Sequence, residues 1–133
     1  MPIRVSPKGT ARPLANLRQS FEEACELFES GERTKSIKLL LKAASMGIPQ
    51  AQVNLANIYD EGDGVRCDFE KARYWYKRAI RQGTPEAAYN LGVSYLNRGN
   101  VRWAKYWLTA AKSMGDEDAD EQLNRIELKS LSG

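Results

Sequence analysis

Between Asp60 and Glu70 the chain reads DEGDGVRCDFE, which sets Asp60, Glu61, Asp63, Asp68 and Glu70 around Gly62, Gly64 and Cys67. Carboxylates at this density could cage a hard cation, and glycines among them could cradle a phosphate. A calcium loop, however, needs alternating oxygen ligands and an acid at its twelfth position. Counting from Asp60, that position is Lys71, so the pattern fails. Cys67 is the other reactive group. Arg66 beside it could favour the thiolate, but a nucleophile also needs a base within reach. The chain contains no histidine, which removes the commonest general base and the commonest metal ligand together. No metal, cofactor or catalytic centre is expected.

The aromatic and basic residues suggest a second chemistry. Trp75, Trp103 and Trp107, with Tyr74, Tyr76 and Tyr106, could form a stacking platform for bases. Arg73, Lys77 and Arg81 follow one another at helical spacing and make a basic stripe. Charge balance weighs against nucleic acid. The net charge is +3, and Arg4, Lys8 and Arg12 lie in the first thirteen residues without an acid. Beyond them 17 bases meet 17 acids, whereas proteins that grip phosphates carry a larger, clustered excess. Trp75 and Trp107 occupy equivalent positions of a repeated unit, so core packing accounts for them first, and a solvated face accounts for the stripe.

Whatever these residues do, repeated elements must position them. The segments ASMGIPQAQ, AIRQGTPEAA and AKSMGDEDAD align, with Gly47, Gly83 and Gly115 spaced by 36 and 32 residues. Ala51, Ala87 and Ala119 keep the same spacing. Ahead of each glycine stand Ser36, Leu39 and Ala43; Ala72, Trp75 and Ala79; and Ala104, Trp107 and Ala111. Small–large–small at i, i+3, i+7 is a helix face that packs closely on a neighbour. NLANIY, from Asn54, matches NLGVSY, from Asn90, and ACEL, from Ala24, is a degenerate copy. Each unit is thus two antiparallel helices, which bury their apolar faces only by stacking. The spacing places helices near 14–30, 33–46, 50–61, 68–82, 85–98, 101–114 and 118–130. In this frame DEGDGV is an inter-helix loop, Val65 plugs it onto the core, and Asp68 caps the next helix.

The order A-x-x-N-L-x-x-x-Y-x-x-G-x-G-V-x-x-D-x-x-K-A-x-x-W-Y-x-x-A-x-x-x-G, running from Ala51 to Gly83, resembles the Sel-1-like repeat, a relative of the tetratricopeptide repeat. The third unit keeps Ala87, Asn90, Leu91, Gly92, Tyr95, Ala104, Trp107, Ala111 and Gly115, with a loop four residues shorter. The resemblance implies an all-α solenoid of three repeats, near 15–50, 51–86 and 87–118, wound as a right-handed superhelix. A capping helix near 119–130 closes it, and residues 1–13 are expected as a flexible basic arm. Some cysteine-rich bacterial members staple their helix pairs and are linked to penicillin binding. Cys25 and Cys67 fall in different repeats, so that staple is missing. The nearest match to a serine–lysine nucleophile motif, Thr109-Ala-Ala-Lys112, places Ala111 at a packing position.

The function implied is a non-catalytic bacterial adaptor or scaffold, monomeric, that binds another protein or a peptide on its concave face. By position, the first unit brings Arg18, Phe21, Cys25, Phe28 and Glu29 to that face. The second brings Gln50, Val53, Asn57, Asp60 and Glu61, and the third Glu86, Tyr89, Val93, Leu96 and Asn97. Glu121 and Arg125 close the end. The alternatives are docking of nucleic acid or an anionic surface through the arm and the convex stripe, and, more remotely, a hydrolase like the cysteine-rich members. With two cysteines, no apolar leader and no run of transmembrane length, the expected location is the cytoplasm, or the periplasm if a leader has been removed.

Overall fold

The computed structural model describes residues 7–132, with side chains from Arg18 onward. Seven helices follow one another: α1 (Pro7–Glu29), α2 (Arg33–Ser45), α3 (Pro49–Glu61), α4 (Phe69–Arg81), α5 (Pro85–Asn97), α6 (Val101–Ser113) and α7 (Ala119–Ser132). Helices α2 to α6 begin and end within one residue of the expected bounds. α1 starts earlier than expected, at Pro7, so residues 7–13 of the expected arm are helical. Proline suits a first turn, where a helix has no partner for the N–H that proline lacks. Residues 1–6 lie outside the described residues.

Three hairpins, α1/α2, α3/α4 and α5/α6, stack in order, and α7 lies against α6. The small positions of the repeat are what bring the helices together. Ala24, Ala43, Ala56, Ala72, Ala79, Ala104 and Ala111 are all fully buried. Ser36, at the same position as Ala72 and Ala104, is buried too, and its hydroxyl donates to the carbonyl of Ala24 at 2.6 Å. Gly92 marks a close approach. A Cβ there would lie 2.7 Å from Cγ of Leu108, so α5 and α6 meet at this point with room for a hydrogen only. Trp75 and Tyr76 fill the centre, and Trp107 stays half-buried.

The loop after α3 is the turn the sequence anticipates. Gly62 and Gly64 hold φ of 71° and 80°, left-handed angles that glycine adopts without a Cβ clash. Val65 packs against the core, and the Asp68 carboxylate accepts from the Lys71 N–H at 3.2 Å, capping α4. α3 and α5 touch directly, more closely than any pair of second helices among the described residues. The first helices lie on one side of the stack, the inner side, and the second helices on the other, outer side.

Charge separates along the same division. The second helices α2, α4 and α6 carry twelve lysines and arginines and a single acid, Glu70. α3 and α5 carry Asp60, Glu61 and Glu86 and no base. From Arg18 onward α1 carries four glutamates and that one arginine. The inner side is acidic and the outer side basic, which the near-neutral total conceals.

Candidate functional site: the inner groove

Two cavities open on the inner side and share residues of α3. One, about 290 Å³, lies between α1 and α3, with an apolar floor of Phe28, Leu40 and Ile58 and with Cys25, Glu29, Asn54, Asn57, Glu61 and Asp63 around it. The next, about 630 Å³, lies between α3 and α5 and is polar, lined by Asn57, Asp60, Glu61, Tyr76, Tyr89, Asn90, Val93, Ser94, Asn97 and Arg98. Asn57 and Glu61 border both, so the cavities form one groove across three helices.

A hydrogen-bonded network holds the second cavity. Tyr76 reaches from α4 between the first helices, and its hydroxyl donates to Oδ1 of Asn57 at 2.5 Å. Asn90 donates to the same oxygen at 3.2 Å. The Asp60 carboxylate accepts from the hydroxyl of Ser94 at 2.9 Å and from the guanidinium of Arg98 at 2.8 Å. Arg98 in turn lies 4.1 Å from the centroid of Phe69. The other acids of the opening stretch, Glu61 excepted, are similarly engaged. Asp63 pairs with Arg33 at 3.0 Å, Asp68 caps α4, and Glu70 pairs with Arg73 at 2.5 Å. Glu61 and Glu29 are the groove carboxylates without an ion-pair partner among the described residues.

Proton affinities in the groove move away from nucleophile chemistry. Burial, and then the Asp60 carboxylate, push the Tyr76 phenol above its ordinary value. Burial, and then Glu29, push the Cys25 thiol up, which disfavours the reactive thiolate. Neither group is activated. Both stay neutral near pH 7 and serve as a hydrogen-bond donor and a small apolar filler.

Of the residues expected on this face, Cys25, Phe28, Glu29, Asn57, Asp60, Glu61, Tyr89, Val93 and Asn97 line the groove. Arg18 and Phe21 line a separate cavity beside the α2–α3 turn, with Met46 and Ile48. Leu96 and Arg125 line one against α7, and Gln122 of α7 donates to the Tyr89 hydroxyl at 3.2 Å. Gln50 and Glu86 are exposed at the starts of α3 and α5, and Glu121 is exposed on α7, where it pairs with Arg125. Val53 is corrected: it is fully buried in the core. It sits two turns before Asp60 among the buried side chains of α3, so the stripe read from the sequence is wider than the groove. Tyr76, Asn90, Ser94 and Arg98 were missed. Tyr76 belongs to a second helix, outside the face read for the groove, although a buried tyrosine hydroxyl itself calls for a partner.

Stacked two-helix units of this kind define a helical-repeat protein. The Sel1 repeat model matches residues 32–48, 49–84 and 85–116, and the chain belongs to that family. Its first helix, α1, lies outside the match, in keeping with its degenerate sequence. A Sel1 repeat protein from Oxalobacter formigenes is 30% identical with a TM-score of 0.66, over 86% of this chain and 98% of that one. A protective antigen from uropathogenic Escherichia coli strains shares the fold at a TM-score of 0.76 and 23% identity, covering 90% of this chain and 27% of the other. Among curated relatives, the localization factor PodJL of Caulobacter vibrioides is 39% identical over 66 residues, which is 49% of this chain and 7% of the relative. Chitin synthase regulatory factor 4 of Schizosaccharomyces pombe is 33% identical over 86 residues, 64% of this chain and 14% of the relative. The chain thus spans a small part of those longer proteins.

Proposed function

We propose that this chain is a non-catalytic interaction module whose inner groove grips a segment of a partner protein. The observation that carries the reading is the continuous groove centred on Asn57 and Glu61, which joins a cavity with an apolar floor to a more polar one. Apolar pockets anchor side chains, while amides and carboxylates at their rim bind an extended backbone and fix its register. Relatives described as a localization factor and as a chitin synthase regulatory factor fit a protein that acts through contacts. The raised proton affinities of Cys25 and Tyr76 suit a binding groove better than a reaction centre.

The test uses a photo-crosslinking residue at Glu61, at Asn97 or, as the outer control, at Lys38. One partner captured from both groove positions and absent from Lys38 supports the reading. Capture from Lys38 alone, or different species at Glu61 and Asn97, contradicts it.

A further inference from the structure

The inner groove leaves the outer side unexplained, and α6 is its most unusual part. Trp103 and Tyr106 remain 45% and 57% exposed, although large aromatics are usually drawn into cores. Their rings pack edge to face at 5.3 Å, and Trp103 also stacks on Tyr95 at 6.3 Å, so the pair is held in place. Beside them a shallow groove of about 690 Å³ runs along α6 from Arg102 to Ser113, mainly apolar through Trp103, Tyr106 and Ala110. Arg102 and Lys105 border it. Neither has an ion-pair partner among the described residues, and α6 carries no acid.

The molecule already contains an occupant for the other flank of this helix. α7 opens on Asp120 and Glu121, buries Ala119 against Ala111 of α6, and pairs Asp120 with Lys112 at 2.8 Å. The helix that α6 receives within the chain is therefore one whose first turn is acidic. The groove repeats that arrangement: an apolar strip, cations at its edge and room for a helix. Tryptophan, tyrosine and arginine are also the side chains that most often dominate binding energy at interfaces.

We propose that the groove of α6 around Trp103 and Tyr106 is a second docking surface, whose occupant is an acidic amphipathic helix of a partner protein. The apolar edge of that helix covers Trp103, Tyr106 and Ala110, and its carboxylates meet Arg102 and Lys105. A protein helix fits better than single-stranded nucleic acid or a lipid surface. The cations flank an apolar strip, where a nucleic acid would need a basic channel tracking its phosphates. Trp103 and Tyr106 are held edge to face beside Arg102, the kind of fixed anchor that dominates protein interfaces, and the vesicle arm of the experiment separates a lipid surface.

The experiment uses the full chain and a fluorescein-labelled synthetic helix of about 18 residues, with leucine at helical spacing and glutamate on its flanks. The same helix with lysine for glutamate is the control. The glutamate helix is expected to bind, to weaken as salt is raised toward about 0.5 M, and to lose at least tenfold in affinity to each of two variants. These are Trp103→Ala with Tyr106→Ala, and Arg102→Glu with Lys105→Glu. The second pair alters exposed charges only, so it tests the surface even if the first perturbs folding, and thermal melting checks both. Binding equal to that of the lysine helix, no binding, or binding indifferent to both variants overturns the proposal. So does tighter binding of polyuridylate, or of phosphatidylglycerol vesicles, that the same substitutions abolish.

Discussion

The guanidinium of Arg98, at the end of α5, donates to the carboxylate of Asp60, at the end of α3, across 2.8 Å. The contact ties the second repeat to the third, and Asp60 is the more deeply placed partner, its side chain 17% exposed against 33% for Arg98. Ser94 and Tyr76 also address Asp60. Removing the acid takes away an acceptor that Ser94, Arg98 and Tyr76 share, although Tyr76 keeps Asn57 and Arg98 keeps Ser94, while removing the base leaves Asp60 with Ser94 and Tyr76. Asp60→Ala should cost about 2–3 kcal/mol and Arg98→Ala about 1 kcal/mol. Urea denaturation of both variants and the double variant measures this. Equal costs for the two single changes would contradict the network described.

Gly92 permits a close approach of α5 to Leu108 of α6. Gly92→Ala would ordinarily favour a helix, yet here the new methyl meets Leu108, which is fully buried and cannot step aside. The expected result is a loss of about 1–3 kcal/mol, partly recovered by adding Leu108→Val. Gly99→Ala is no comparison, because Gly99 has positive φ. Stabilisation by Gly92→Ala alone would show that α5 and α6 pack less tightly.

Alkaline stability should report on Tyr76. Its raised proton affinity means that the native chain keeps a proton which the unfolded chain gives up. This contribution is complete below the unfolded value of about 10 and falls as pH rises beyond it. Tyr76→Phe should flatten the decline between about pH 9.5 and 11 while lowering stability at pH 7 by about 1 kcal/mol, since Asn57 loses one of its two donors and keeps Asn90. An unchanged alkaline slope would mean that Tyr76 ionises freely in the folded state.

The terminal helix covers one layer of the third repeat, where Ala119 meets Ala88 and Ala111 with Tyr89 and Met114 beside them. Solenoids need an end that presents polar residues to water. Deleting residues 118–133 should uncover that layer and lower the melting temperature by several degrees, with concentration-dependent association. A monomeric truncation product with the original melting temperature would remove α7 from the fold's stability.

The helices were legible because one constraint fixes them all: small residues must recur wherever two helices touch. Ala72, Ala79, Ala104 and Ala111 therefore announce both the period and the buried face. The start of α1 was not legible, since prolines and glycine in the first thirteen residues argue for an extended chain and the structure places Pro7 in a first turn. Groove residues on first helices could be located by position, down to Asn57 and Glu61. Val53 could not, because its place in the repeat does not record that the folded core encloses it fully. Tyr76 and Arg98 enter the groove from outside the stripe, one through its length and one from a helix end, and residue spacing records neither reach. The separation of charge between inner and outer helices becomes visible only once each helix has a side.

The central claim is that the partner lies in the inner groove, and affinity for a captured partner tests it most directly. Glu61→Ala with Asn97→Ala changes groove side chains that support no other described contact, whereas Arg73→Glu with Lys77→Glu changes the outer stripe. Calorimetric titration of both variants should show the groove pair weakening binding by about thirtyfold or more and the outer pair by less than about threefold, an interface anchor being worth about 2 kcal/mol. Full affinity in the groove pair together with lost affinity in the outer pair would contradict the claim and move the site to the basic face.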